Sequence, residues 1–380
     1  MSISTQEIAA EVIRSASREK PADAALREVL KEFRDLPPFD AREASSLVFL
    51  YYRWHGWIRE ERGVDAKMRL ARRLAERFQA NPTSISIAEL RAKAVPAWTA
   101  EQMEVSEDWL RSLQTEPKLW LRAKHRQAAA LMDKLQGAHG SPAFPEALVY
   151  EGETDLFKTT EFHAGEFEIQ DIASQAVGLI CDPKPGETWW DACAGEGGKL
   201  LHLSDLMQNK GLIWASDRTA WRLQKLKRRT ARAKAFNYRA ALWDGGAKPP
   251  TKTKFDGILV DAPCSGVGTW QRNAHARWTT DLRDVLELAE VQKRLLAHVA
   301  ASVKPGGKLV YSVCTLTRAE TAEVAESFST AHPEFGPMTL PLEKIGLEKN
   351  RAHLSAANFT IWPQELDGNG MFVAEWRRKT

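Results

Sequence analysis

A doubly wound α/β domain, preceded by a small α+β domain and an all-helical N-terminal segment, is predicted for this chain of 380 residues. Three observations carry that expectation. Strand and helix patterns alternate from Ile172 to the end, the order that builds a parallel sheet. Two apolar runs, one ending at Asp261 and one at Val313, are short and turn-bounded, as strands covered on both faces are. A glycine-rich turn, Asp191-Ala-Cys-Ala-Gly-Glu-Gly-Gly-Lys199, follows the first strand of the series.

Residues 1–95 read as helices. Ile8, Ala9, Val12 and Ile13 form one apolar stripe, and Leu47, Val48, Leu50, Tyr51 and Trp54 another. The basic helix beginning at Lys67 reads first as a solvated face and second as a nucleic-acid contact. Residues 96–165 are expected to form the small α+β domain. It has a helix over 108–113, a strand over 119–122, a helix over 127–135 and a strand near Leu148, with a further strand near Phe167.

The main domain is expected over residues 166–380. Its strands are placed at 188–191, 211–217, 238–242, 258–261 and 308–313. Helices lie between them at 200–207, 220–234 and 284–303, and one follows at 319–327. Pro305-Gly-Gly is read as the stop of the long helix. Segments near Thr360 and over 372–376 suggest an edge hairpin.

Hydrophobic residues make up 43% of the chain and charged residues 27%, which fits a globular enzyme and excludes a disordered chain. The net charge is only +3, so any polyanion must be held by local patches. Most of the fourteen tryptophans are expected in the core. No secretory signal is visible over 1–20 and no run is long enough to span a bilayer, so a cytoplasmic protein with reduced thiols is expected. The four cysteines, Cys181, Cys193, Cys264 and Cys314, match no zinc spacing, and no metal is expected. Cys181 reads as a small buried hydrophobe. Cys264 does not, because it sits in a Pro/Ser/Gly loop.

The glycine turn lets backbone approach a ligand closely and opens a helix with free N–H groups. Asp217 ends the second strand, where a carboxylate accepts ribose hydroxyls, and Asp244 follows the third. Each alone reads as a loop acid; together, beside the turn, they favour an adenosine ligand. The spacing is not GxGxxG, so the dinucleotide fingerprint fails. Glu196 would repel a pyrophosphate, whereas Asp191 and Glu196 suit a sulfonium. S-adenosylmethionine is therefore favoured over a nicotinamide cofactor.

At two further segments the chain resembles a known family. Asp261-Ala-Pro-Cys-Ser-Gly-Val-Gly-Thr269 and Tyr311-Ser-Val-Cys-Thr-Leu-Thr317 are similar to the paired signatures of the RsmB/Sun-type (NOL1/NOP2/Sun) RNA cytosine-5 methyltransferases. The glycine turn resembles that family's cofactor loop. Glu168–Gln175 resembles its lead-in helix, and Asp367-Gly-Asn-Gly-Met-Phe372 its closing strand.

The resemblance implies a Rossmann-like class I methyltransferase domain. It implies S-adenosylmethionine as cofactor, held by Cys193, Ala194, Gly195, Glu196, Gly197, Gly198, Lys199, Asp217, Asp244 and Asp261. It assigns Cys314 as nucleophile on carbon 6 of cytosine, Cys264 as the group assisting release, and Asp261 as the hydrogen-bond partner of ring nitrogen 3. The swapped assignment of the two cysteines stays open, as does Lys199 as a second group at the reacting centre or a solvent-facing lysine. Glu196 stands where the family commonly has proline, and Val313 where threonine is usual. The N-terminal segment resembles a shortened NusB-like RNA-binding domain only loosely.

RNA is the expected partner, ribosomal RNA first and tRNA second, with the chain acting as a monomer. A non-catalytic RNA-binding assembly factor is the competing class. Arg218, Arg222, Lys225, Lys227, Arg228, Arg229, Arg232, Lys234 and Arg239 form an acid-free run suited to phosphates. Arg122, Lys124, His125 and Arg126 form a second cluster, and Gln271–Trp278 is read as a guide for the target strand.

Overall fold

The computed structural model describes residues 4–33, 36–347 and 358–380. Two compact units are present. One comprises residues 1–117 with 269–284, the other 118–268 with 285–380. This division differs from the boundaries expected after residues 95 and 165, for two local reasons. The helices Thr99–Gln102 and Glu107–Ser112 belong with the helical unit. So does the segment after Gly268, because the buried Arg277 donates to the carbonyls of Ala94, Leu113 and Trp270 at 3.1, 3.0 and 3.2 Å. Trp278 likewise donates to Tyr52 O at 2.7 Å. The segment 271–278, expected to guide a target strand, thus spends Arg277 and Trp278 on internal packing.

The larger unit holds two sheets. The smaller consists of β1 (Leu119–Ala123), β2 (Ala138–Gly140), β3 (Ala147–Tyr150) and β4 (Phe167–Ile169), in the order β2-β3-β1-β4. All its pairings are antiparallel. β2 had no sequence signal, being three residues long and mostly exposed. Arg122, expected in an RNA-facing cluster, is instead buried. It bonds Gln170 Oε1 at 2.7 Å and Asp205 Oδ2 at 3.0 Å.

The larger sheet contains β5 (Thr188–Asp191), β6 (Leu212–Asp217), β7 (Tyr238–Leu242), β8 (Phe255–Asp261), β9 (Val303–Val313), β10 (Phe335–Pro337), β11 (Asn358–Ile361) and β12 (Met371–Arg378). Its order is β10-β12-β9-β8-β5-β6-β7, with β11 also on β12. The strands β5 to β9 are mutually parallel, and β12 returns antiparallel to β9. The edge hairpin of β11 and β12 forms as expected.

The burial of β8 and β9 on both faces explains their unbroken apolar runs. Pro305-Gly-Gly does not end the long helix, which stops at Ala300. Register jumps from Phe255↔Val303 to Gly257↔Lys308, so that segment bulges out of β9, with Gly306 at φ +75°. Strand order reverses between β5 and β8, and a cleft opens at such a switch point.

Three of the sequence signatures meet at backbone level. Gly268 N donates to Cys314 O at 3.1 Å, and Gly370 N donates to Gly268 O at 2.7 Å. A Cβ on Gly268 would lie 2.1 Å from Gly370 O. Backbone cannot yield as a side chain does, so Gly268→Ala is expected to cost about 3 kcal/mol. Gly336→Ala, which meets nothing within 4 Å, is expected to stay within about 0.5 kcal/mol of the parent. Urea denaturation of both variants checks the contrast.

Candidate active site

Register brings the reactive groups together. Asp261 pairs with Ser312 across β8 and β9, and each strand then ends in a loop carrying a cysteine shortly beyond. Cys264 Sγ and Cys314 Sγ lie 3.4 Å apart. Asp261 accepts from Lys199 Nζ at 2.7 Å and from Ser312 Oγ at 3.0 Å. Lys199, left open between a solvent-facing and a central position, is therefore inside the cluster.

A cavity of about 500 Å³ gathers these groups with the glycine turn. Its lining includes Cys193, Ala194, Gly195, Glu196, Gly198, Lys199, Asp217, Asp244, Asp261, Cys264 and Cys314. Of the residues expected at the site, only Gly197 is absent from that lining. It starts the helix Gly198–Leu206 at φ +89° and packs under Leu226. Its glycine serves the turn's geometry.

The three strand-end acids differ in state. Asp217 is occupied, accepting from Gly195 N at 3.1 Å and Thr219 N at 2.8 Å. Asp244 is exposed and accepts from Gly246 N at 2.8 Å. Asp191 is 1% exposed, and neither carboxylate oxygen has a hydrogen-bond partner. Burial, then the charge of Asp261, pushes its carboxyl up to about 7; Lys199 opposes this, and the Leu200 amide opposes it least, outside hydrogen-bond geometry. Glu196, expected to favour a sulfonium alongside Asp191, is instead balanced by Lys225 at 2.9 Å. Trp243, Val291 and Leu295 supply an apolar wall.

The two sulfurs share one hydrogen bond, and that contact, followed by burial, pushes the Cys264 thiol well up. Burial alone would pull the Lys199 ammonium down, yet Asp261 and then Cys314 hold it above its usual range. Desolvation pushes the half-buried Cys193 thiol up, and the charges of Asp191 and Asp261 add to the shift. Cys181 is fully buried, as expected.

A residue that sequence reasoning missed holds both cysteine loops. Glu320 is fully buried. It accepts from Ser265 N at 2.8 Å, Thr317 Oγ1 at 2.8 Å, Gln292 Nε2 at 3.0 Å and Thr315 Oγ1 at 3.1 Å, and also from Ser265 Oγ. The Thr317-x-x-Glu320 spacing, that of a capping box, was the available signal.

The basic run is divided. Arg229 and Arg232 turn inward to Glu168 at 2.8 and 2.5 Å. Arg218, Arg222, Lys227, Arg228, Lys234 and Arg239 stay exposed.

Comparison with known proteins agrees with this geometry. The family model for the 16S rRNA methyltransferase RsmB/F matches residues 178–377, over half of the chain. The chain belongs to that family. Two curated proteins related to this RsmB/F chain differ in what their names say they modify. One is the Probable ribosomal RNA small subunit methyltransferase B of Bacillus subtilis, 39% identical over 220 residues, 57% of this chain and 49% of that protein. The other is the tRNA (cytosine(72)-C(5))-methyltransferase NSUN6 of Mus musculus, 38% identical over 169 residues, 41% of this chain and 35% of that protein. The chain spans about half the length, or less, of these relatives. Among solved structures, PH0851 superposes with a TM-score of 0.78 and 26% identity, covering 100% of both chains. The class I methyltransferase fold expected of an RsmB/F domain is present, with a helical region before it.

The raised Asp191 carboxyl has a measurable consequence. Because its folded value lies above that of the unfolded chain, its contribution to stability is full below about pH 4 and is lost as pH rises through about 7. The unliganded protein should lose on the order of 4 kcal/mol between pH 4 and pH 8 from this group, and Asp191→Asn should lack that loss. Thermal denaturation of both proteins across that range checks it.

Proposed function

We propose that this chain transfers a methyl group from S-adenosylmethionine to carbon 5 of cytosine in RNA, through a covalent adduct on Cys314. The observation that carries the reading is the pair of sulfurs 3.4 Å apart beside the Lys199–Asp261 ion pair. Among the described residues, no group of three or more His, Cys, Asp or Glu is placed to hold a metal, and no helix is long and apolar enough to cross a membrane.

The residues fit the cofactor. The unpartnered carboxylate of Asp191 suits the cationic methionyl end. Asp217 would accept from the ribose hydroxyls, and Asp244 with Trp243, Val291 and Leu295 would form a slot for adenine. When bound, S-adenosylmethionine supplies an electrophilic methyl group for carbon 5.

Carbon 5 of cytosine is a poor nucleophile until carbon 6 carries a sulfur. The Cys314 thiolate adds there, and electron density moves towards nitrogen 3. The Lys199–Asp261 pair hydrogen-bonds that nitrogen and stabilises the adduct. Once Cys314 is a thioether, the shared sulfur–sulfur hydrogen bond is gone. Cys264 gives its own proton to solvent water, and the resulting thiolate takes the proton from carbon 5. The electrons of that C–H bond restore the 5,6 double bond, the C6–S bond breaks, and Cys314 leaves as a thiolate. The electrostatic interaction of the Lys199 ammonium with Cys314 supports this assignment over the swapped one.

Small-subunit ribosomal RNA is the substrate we infer, on the family match and the Bacillus relative. The murine relative's name favours tRNA as the second reading. Bisulfite sequencing of RNA from a deletion strain separates them: a lost rRNA mark supports the first and a lost tRNA mark the second.

With labelled cofactor and cellular RNA, Cys314→Ala should abolish transfer, by about a thousandfold or more, and form no adduct. Cys264→Ala should accumulate a protein–RNA adduct stable to denaturing gels. Methylation by Cys314→Ala but not by Cys264→Ala would reverse the two roles. Absence of transfer by the parent, with cofactor bound, would favour a non-catalytic assembly factor.

A further inference from the structure

The helical unit contains a second cavity, also of about 500 Å³, that the chemistry above leaves unused. One face of the helix Pro38–Arg53 supplies Arg42, Ser45, Ser46, Phe49 and Arg53. These positions fall at i, i+3, i+4, i+7 and i+11, the spacing of a single helical face. Arg272 lines the same cavity from the segment after Gly268.

Cations outnumber anions in the lining, three arginines to the one carboxylate of Glu116. Arg53 is 5% exposed, and its Nε is buried without a hydrogen-bond partner. Glu116, which lines the same cavity, forms an ion pair with Arg53 Nη1 at 3.7 Å, but its side chain is 77% exposed and so offsets the buried charge weakly. Arg277 donates to the Arg53 carbonyl at 3.4 Å and is itself fully buried. Its other bonds go to backbone carbonyls, so it adds a second buried cation and no anion. Guanidinium groups do not shed their proton to escape burial. Two such charges without a buried counter-ion are costly, and an anion seated in the cavity would offset that cost.

We propose that this cavity binds a backbone phosphate of the RNA, held by Arg42, Arg53 and Arg272 with the Ser45 and Ser46 hydroxyls. The inference rests on RNA being the substrate, as proposed above. Guanidinium forks match phosphate oxygens in shape, and hydroxyls add neutral donors. Phe49 offers an apolar surface for the adjoining ribose or base. A contact of this kind fixes the strand's register without reading its sequence.

The test uses the full chain, a fluorescein-labelled 20-nucleotide oligouridylate and anisotropy over a range of salt. Arg42→Gln and Arg272→Gln alter exposed side chains, so melting temperature serves as the control for folding; Arg53→Lys keeps the buried charge but loses the fork. Each variant is expected to weaken binding about three- to tenfold. The slope of log K against log salt should fall by about 0.7 for one lost phosphate contact. The Arg42→Gln/Arg272→Gln double variant should lose no more slope than one contact, since both residues hold the same phosphate.

Methyl transfer by the parent is measured in parallel. Binding that depends on these arginines without methyl transfer would leave the phosphate site standing and remove the proposed reaction. Methyl transfer with unchanged affinity and slope in all variants would overturn the site and leave the reaction. Failure of the parent to bind the oligonucleotide would overturn the site as well.

Discussion

One buried carboxylate anchors both of the loops that carry the paired sulfurs. Glu320 takes hydrogen bonds from Ser265, the residue after Cys264, and from Thr315, the residue after Cys314. Burial pushes its carboxyl up, and the bonds from Ser265, Thr317 and Gln292 oppose that shift. A buried charge this well satisfied resists movement, because losing any donor leaves a desolvated oxygen behind. Gln292 also binds Pro263 O at 2.9 Å, and Tyr311 Oη reaches Glu320 O at 2.6 Å. The loops on β8 and β9 are therefore anchored to one point.

The cavity is divided by charge in a way that suits two ligands. Asp191, Asp217 and Asp244 stand at the ends of β5, β6 and β7, and this acidic side is closed by the glycine turn. Arg218, Arg222 and Arg229 line the same cavity, and the exposed part of the helix Ala220–Ala233 continues the basic surface. Lys199 joins the two halves. It neutralises Asp261 at 2.7 Å and places a cation near Cys314, favouring the thiolate there. An acidic pocket for a cationic cofactor and a basic rim for a polyanion can thus coexist without cancelling.

Much of this was legible in the chain. The parallel strands could be read because burial on both faces removes polar residues from β8 and β9, and β5 and β7 matched to the residue. The cysteines and strand-end acids could be read because motifs at strand ends converge in this topology. Other features depended on partners distant in sequence. Arg122, Arg229 and Arg232 look like phosphate ligands until Asp205 and Glu168 are seen beside them. Arg277 looks exposed by type, yet distant carbonyls hold its two terminal nitrogens in the core. Glu320 carried only a local spacing, and its five donors come from three separate stretches. Pro305 looked like a helix stop because a wide bulge in a strand has no periodic signature.

The division of labour between the two sulfurs is tested most directly with RNA in which cytidine is replaced by 5-fluorocytidine. Fluorine at carbon 5 cannot be removed as a proton is, so release is blocked after methyl transfer. Incubation of the parent protein with this RNA and S-adenosylmethionine, followed by digestion and peptide mass spectrometry, locates the trapped nucleotide. The expected result is a methylated fluorocytidine adduct on the peptide containing Cys314. An adduct on Cys264, or catalytically modified cytidine in ordinary RNA with no trapped species in the fluorinated one, would contradict it.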